Sequence, residues 1–188
     1  MVRIIYYLAG PYLALSWGWA SPLDLGLADL DWVRGIGFAA GIGAGALLLL
    51  LLIWWQYTRL LGGPLVMLQA SWSGQPQGWA FVLREAILLE SWWALCRSPM
   101  LLAAGPYWGV YLGLALAMIA AWLNARTRHE LGVDGQREGV ILTASLALLS
   151  ATLYLFTRNL WLCIALHFVL RWAILKLVQS KLARPAAA

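Results

Sequence analysis

Apolar runs succeed one another along this chain at residues 4–20, 36–55, 79–97, 101–123, 140–157 and 160–178. Each is close to the about 17–25 residues a helix needs to cross a hydrocarbon layer about 30 Å thick. Inside such a layer every backbone amide must be satisfied within the chain, which leaves helices or closed barrels. Runs this long, without strict alternation, select helices. Composition agrees: 63% of the 188 residues are hydrophobic and 11% are charged, against about a quarter charged in soluble domains. Several of the 13 tryptophans fall at the ends of runs, where amphipathic rings favour the headgroup layer. The expected fold is therefore all-α, a polytopic transmembrane helical bundle of about six spans.

Charge sets the expected topology. An acidic loop with Asp24, Asp29 and Asp31 separates the first two runs. Arg3, Arg59, the loop with Arg126, Arg128 and Arg137, and the tail with Lys176, Lys181 and Arg184 fall together if the chain crosses an even number of times. The positive-inside rule then puts both termini in the cytoplasm, with Arg34 and Arg158 as exceptions. Residues 56–78, rich in Gly, Pro, Gln and Ser and holding Gly62, Gly63, Pro64 and Pro76, divide a two-span region (1–77) from a four-helix core with a basic tail (78–188). The polar stretch 124–138 reads as a loop. Arg158 and Asn159 alone link the last two runs, which makes those antiparallel neighbours. The first run, carrying Gly10 and Pro11 and no clear cleavage site, reads as a retained span. The expected location is a prokaryotic plasma membrane, and the lipid bilayer is the first partner.

The net charge of +5 is topological, because no Lys/Arg cluster interleaves with exposed aromatics; nucleic acid is not an expected partner. Cys96 and Cys163 form no C-x-x-C pair and give no disulfide framework. Gly37, Gly41 and Gly45 recur every four residues, a pattern that lets helix backbones approach closely. It reads first as an internal packing face, and otherwise as a contact between copies.

Polar residues within the runs are where chemistry is to be sought. An ionised group at the centre of a span costs about 2.5–3.5 kcal/mol on insertion scales. The 79–97 run holds Arg84, Glu85, Glu90 and Arg97. Arg84 and Arg97 lie near its ends and are long enough to snorkel; Glu90 is not, and is the most expensive residue in the chain. Glu90 and Arg97 are two turns apart and share a helix face, while Glu85 points elsewhere. Glu90 is read either as structural, paired with an Arg or with bundle hydroxyls, or as part of a site. His167 sits mid-run with Cys163 one turn before and Arg171 one turn after. Cys163 and His167 are two possible metal ligands, and a zinc site would need Glu90 as a third. His129, in the charged loop, reads as solvated. No Ser/His/Asp triad and no phosphate-binding loop can be assembled.

Two of these stretches carry a resemblance. Glu90, Trp93 and Arg97, followed by further spans and then by the run TRNLWLCIALHFVLR from Thr157 to Arg171, resemble the CPBP family. That family comprises the type II CAAX prenyl endopeptidases and the bacteriocin-processing or self-immunity proteins. The resemblance covers residues 78–178. It implies an intramembrane endopeptidase acting on peptide bonds of membrane-associated substrates, with Glu90, Arg97 and His167 at its site. In the family a glutamate activates water, and histidines and an amide polarise it or hold the oxyanion. The chain departs from the family pattern at three points. Trp92 and Trp93 stand where the strict spacing puts a Glu pair, residues 101–123 hold neither Phe nor His, and Arg171 replaces an Asn or Asp.

Those departures motivate a second reading, a non-catalytic accessory or scaffold subunit of a larger membrane complex. A third is a cofactor protein using His167 as axial ligand to a haem or chlorophyll, from the nearby Phe168, Trp161 and Trp172. The cofactor, if any, and any metal stay unassigned at this stage.

Overall fold

The computed structural model describes residues 2–60, 77–133 and 136–182. Within them the chain is helical, without strands: α1 (Val2–Ser16), α2 (Trp32–Leu60), α3 (Gly78–Leu123), α4 (Ala125–Leu131), α5 (Arg137–Thr157) and α6 (Leu160–Leu182). Four helices hold stretches long and apolar enough to cross a membrane: Trp32–Gln56, Gly78–Leu123, Arg137–Thr157 and Leu160–Gln179. Their outer surfaces carry large apolar side chains that water would not tolerate in such numbers, among them Leu48, Leu102, Trp108, Trp122 and Val169. The architecture is that of an integral membrane helical bundle. The connection at Gly62, Gly63, Pro64 and Pro76, Asp134, and Arg184 all lie outside the described residues.

The runs at 79–97 and 101–123 merge into α3, and the break, expected between residues 97 and 101, lies further on at Gly105. A straight helix of 46 residues would be about 69 Å long, more than twice a hydrocarbon layer. Gly105 prevents this, with φ 74° and ψ 177° beside Pro106, a backbone state open chiefly to glycine. Beyond it the chain doubles back. A Cβ on Gly109 would lie 2.6 Å from Leu101 Cα, and one on Gly113 would lie 2.6 Å from Arg97 Cα. Residues 78–104 and 106–123 are therefore two antiparallel limbs whose backbones touch through glycine.

Local signals place the other ends. Asp31 Oδ1 accepts the Arg34 N–H (3.0 Å) at the start of α2, a capping bond. The stretch 124–138, expected as a loop, contains α4, which Asn124 opens by accepting the Arg126 N–H at 3.0 Å. The link between α5 and α6 is as short as expected. Arg158 takes the left-handed conformation at φ 45° and donates its N–H to Tyr154 O. Asn159 Oδ1 then accepts the Leu162 N–H at 3.2 Å, capping α6.

Residues 17–31 fold onto this link. Leu160 N–H donates to Gly26 O at 2.9 Å, and the Tyr154 hydroxyl donates to Asp24 O at 2.6 Å. Gly26 is at φ 74°, with the Tyr154 ring 2.7 Å from where its Cβ would be, so no other residue fits. Around this end α1 packs on α3, α2 lies against α5 and α6, and α3 contacts both α5 and α6.

The Gly37, Gly41 and Gly45 face is not an internal packing face: a Cβ at any of the three would meet nothing within 4 Å among the described residues. Gly35 and Gly43, outside the pattern, make the close contacts, taking Leu162 and Leu166 at 2.8 Å. The glycine stripe faces outward and borders a groove of about 440 Å³ lined by Arg34, Gly37, Phe38, Gly41 and Ile42.

Candidate functional site

Three helices bring the polar residues of the spans to one buried place. Glu90 comes from the first limb of α3, Ser150 from α5, and His167 and Arg171 from α6; all four are at most 5% exposed. Glu90 Oε1 lies 3.0 Å from His167 Nδ1, across 77 residues of sequence. Ser150 Oγ donates to Glu90 Oε2 at 2.6 Å. Arg171 Nη1 is 3.5 Å from His167 Nε2.

The donors in this chain settle the tautomer. A guanidinium only donates, so Nε2 is the acceptor nitrogen of His167. Its Nδ1 then carries the hydrogen directed at Glu90. Glu90 receives one donor on each oxygen, and the imidazole of His167 stands between it and Arg171. This arrangement offsets the cost that makes Glu90 anomalous in a span, because buried charges persist where they are paired and hydrogen-bonded. Trp93 stacks on the imidazole, ring centroids 5.4 Å apart and planes 17° apart, which fixes the ring orientation.

Ser150 is the member that sequence reasoning did not single out. Four other hydroxyls of α5 bond back to their own helix, Thr143 to Gly139 O, Ser145 to Ile141 O, Thr152 to Leu148 O and Thr157 to Leu153 O. Ser150 instead crosses to α3, and nothing in its local sequence separates it from the rest. A bundle hydroxyl as partner of Glu90 was the class expected; which hydroxyl is decided by tertiary packing alone.

Arg97 stands apart. It is 2% exposed, so it does not snorkel to the headgroups. Its Cζ lies 4.2 Å above the Tyr154 ring, a cation–π contact, and it makes no hydrogen bond to Glu90 or His167. Arg84, by contrast, is exposed and lies over Phe81 at 5.3 Å.

The other options for His167 narrow. Both ring nitrogens are engaged, so an axial ligand to haem or chlorophyll has no free nitrogen. Cys163 Sγ is turned toward Ser150 O at 3.6 Å. Among the described residues no group of three His, Cys, Asp or Glu is placed to hold a metal. His129 is exposed on α4, where the sequence put it in solvent.

Comparison with family models, with curated proteins and with solved structures finds no significant match to this chain.

Proposed function

We propose that the chain is an intramembrane endopeptidase of the CPBP kind, hydrolysing peptide bonds of membrane-associated substrates with Glu90 as general base. The observation that carries this reading is the 3.0 Å contact between Glu90 and His167, both side chains 0% exposed. Of the three residues that the resemblance singles out, Glu90 and His167 meet inside the bundle, and Arg97 lies apart over Tyr154. Chance seldom buries a carboxylate and an imidazole together in a span, given what each costs there.

In this mechanism a water replaces the Ser150 hydroxyl on Glu90 Oε2 and gives its proton to the carboxylate as its oxygen attacks the substrate carbonyl. The tetrahedral oxyanion is held by donors at the site. Glu90 then returns the proton to the departing amine as the C–N bond breaks. Ser150 and His167 hold the carboxylate in place between turnovers. The proposed topology is six spans, counting α1 and each limb of α3, with both termini cytoplasmic in a prokaryotic plasma membrane.

A second reading rests on a specific observation: Glu90 is saturated by two internal donors, as in a structural cluster. In that case the chain is a non-catalytic accessory or scaffold subunit. Mass-spectrometric mapping of new peptide termini in membranes of cells expressing the wild type or Glu90→Gln separates the two. The peptidase reading expects termini that vanish in Glu90→Gln. Identical termini in the two samples, with an unchanged co-purifying partner, favour the accessory reading.

A further inference from the structure

Two turns beyond the Glu90 cluster lies a second set of buried polar atoms, and this one is unsatisfied. Arg97 Nε and Nη2, Ser98 Oγ and Asn159 Nδ2 are buried without hydrogen-bond partners among the described residues, and Arg97, Ser98 and Asn159 are at most 2% exposed. Buried polar groups are almost always paired, and a set of orphans in one region calls for a missing partner. The register places them together. The first limb of α3 meets α6 at Glu90 and His167 and again where Ala94 packs with Leu160 and Ile164, so the two run antiparallel. Seven residues on from Glu90 is Arg97, and seven back from His167 is Leu160, next to Asn159. Tyr154, which contacts the guanidinium, closes the same level from α5.

We infer that Arg97 and Asn159 form a binding site for a carboxylate. The orphaned atoms are nitrogen donors, apart from one hydroxyl, so the absent partner is an acceptor, and next to a guanidinium it is an anion. The identity of the free nitrogens narrows it further. Nε–H and the adjacent Nη2–H project in parallel from one edge of the guanidinium, the edge that a planar two-oxygen anion engages with two bonds. The Tyr154 face compensates part of the charge but accepts none of these hydrogens. Asn159 uses its Oδ1 to cap α6, which turns its amide nitrogen into a spare donor. Residues 17–31 close this end through the bonds at Asp24 and Gly26, and a ligand enters when they part.

The carboxylate can belong to an acyl chain or to an acidic residue of an apolar peptide. The test uses the full chain in non-ionic detergent and reads the thermal midpoint against ligand concentration, since a ligand that binds the folded state raises it. Decanoate is compared with decanamide, and an apolar peptide carrying one Glu with the same peptide carrying Gln. A rise with either carboxylate and not with its amide supports the site, and which probe responds names the source. Arg97→Lys, which keeps the charge and loses the parallel edge, is expected to weaken that binding about tenfold, the equivalent of one charge-assisted bond. Asn159→Asp keeps the cap and supplies a carboxylate from within; it is expected to raise the midpoint of the free protein and abolish the response. The same response in Glu90→Gln separates this site from peptide hydrolysis, which that substitution removes. The inference is overturned if amides act as well as carboxylates, if neither acts, or if Arg97→Lys binds like the wild type.

Discussion

The α2 helix and the first limb of α3 are both apolar enough to cross a bilayer, yet they use the membrane in opposite ways. Only 11% of the most apolar stretch of α2 is buried by the rest of the protein, and its glycine stripe opens outward. The first limb of α3 buries Glu90, Trp93, Ala94, Cys96, Arg97 and Ser98, and Glu90 finds its partners on α5 and α6. In water an exposed apolar face would be the anomaly, but in lipid it is the solvated state. The anomaly is the buried charge, and that is where this fold spends its specific contacts.

The contrast can be broken by substitution, and the largest effect belongs to the carboxylate. Glu90→Leu removes the acceptor of Ser150 and His167 and leaves two buried donors unsatisfied; a loss of about 2–6 kcal/mol is expected, at about 1–3 kcal/mol for each. Denaturant unfolding in mixed micelles measures it. Gly113→Ala follows, because the new methyl meets Arg97 backbone at 2.6 Å, where no rotamer relieves it. Overpacking of this kind costs about 1–3 kcal/mol, read as a lowered thermal midpoint. Ser150→Ala deletes one bond to a charged acceptor and is expected to cost about 2 kcal/mol, while Thr152→Ala, whose hydroxyl only bonds back to Leu148 O, stays within about 0.5 kcal/mol. Smallest is Gly41→Ala on α2, where the methyl enters open space and the change is expected to lie between neutral and about 1 kcal/mol stabilising through helix propensity. A large loss at Gly41 would show that its face is packed, and would remove the distinction between the two helices.

The helices from residue 32 onward that are long and apolar enough to cross a membrane were legible because a hydrocarbon layer imposes a length that apolar runs must meet; the short α4, inside a stretch read as a loop, was not. Glu90 and His167 were legible through their cost, since few residues in a span need explaining so badly. The α3 hairpin was read in outline but with its turn at the wrong place: the two runs were parted between residues 97 and 101, where the helix continues through Pro99, whereas the positive-φ state is reached at Gly105. The glycine stripe misled for a related reason. Four-residue spacing states which residues share a face, but not whether anything lies against it, and Gly35 and Gly43 do the packing without belonging to the pattern. Ser150 could not be found at all, because a span hydroxyl has a partner available in its own helix and only the arrival of Glu90 from α3 offers it a better one. Arg97 was assigned to the headgroups on the strength of its reach, and its burial over Tyr154 depends on the fold-back that brings Gly113 beneath it.

The central claim is that Glu90 and His167 act as one coupled unit inside the bundle. A double-mutant cycle on the full chain, with Glu90→Gln, His167→Gln and the double variant unfolded under identical conditions, tests it most directly. Coupling of about 1–3 kcal/mol is the expected result, as for residues sharing a buried hydrogen-bond network. Additivity within about 0.5 kcal/mol would mean that the two side chains do not meet, and the site would be lost with them.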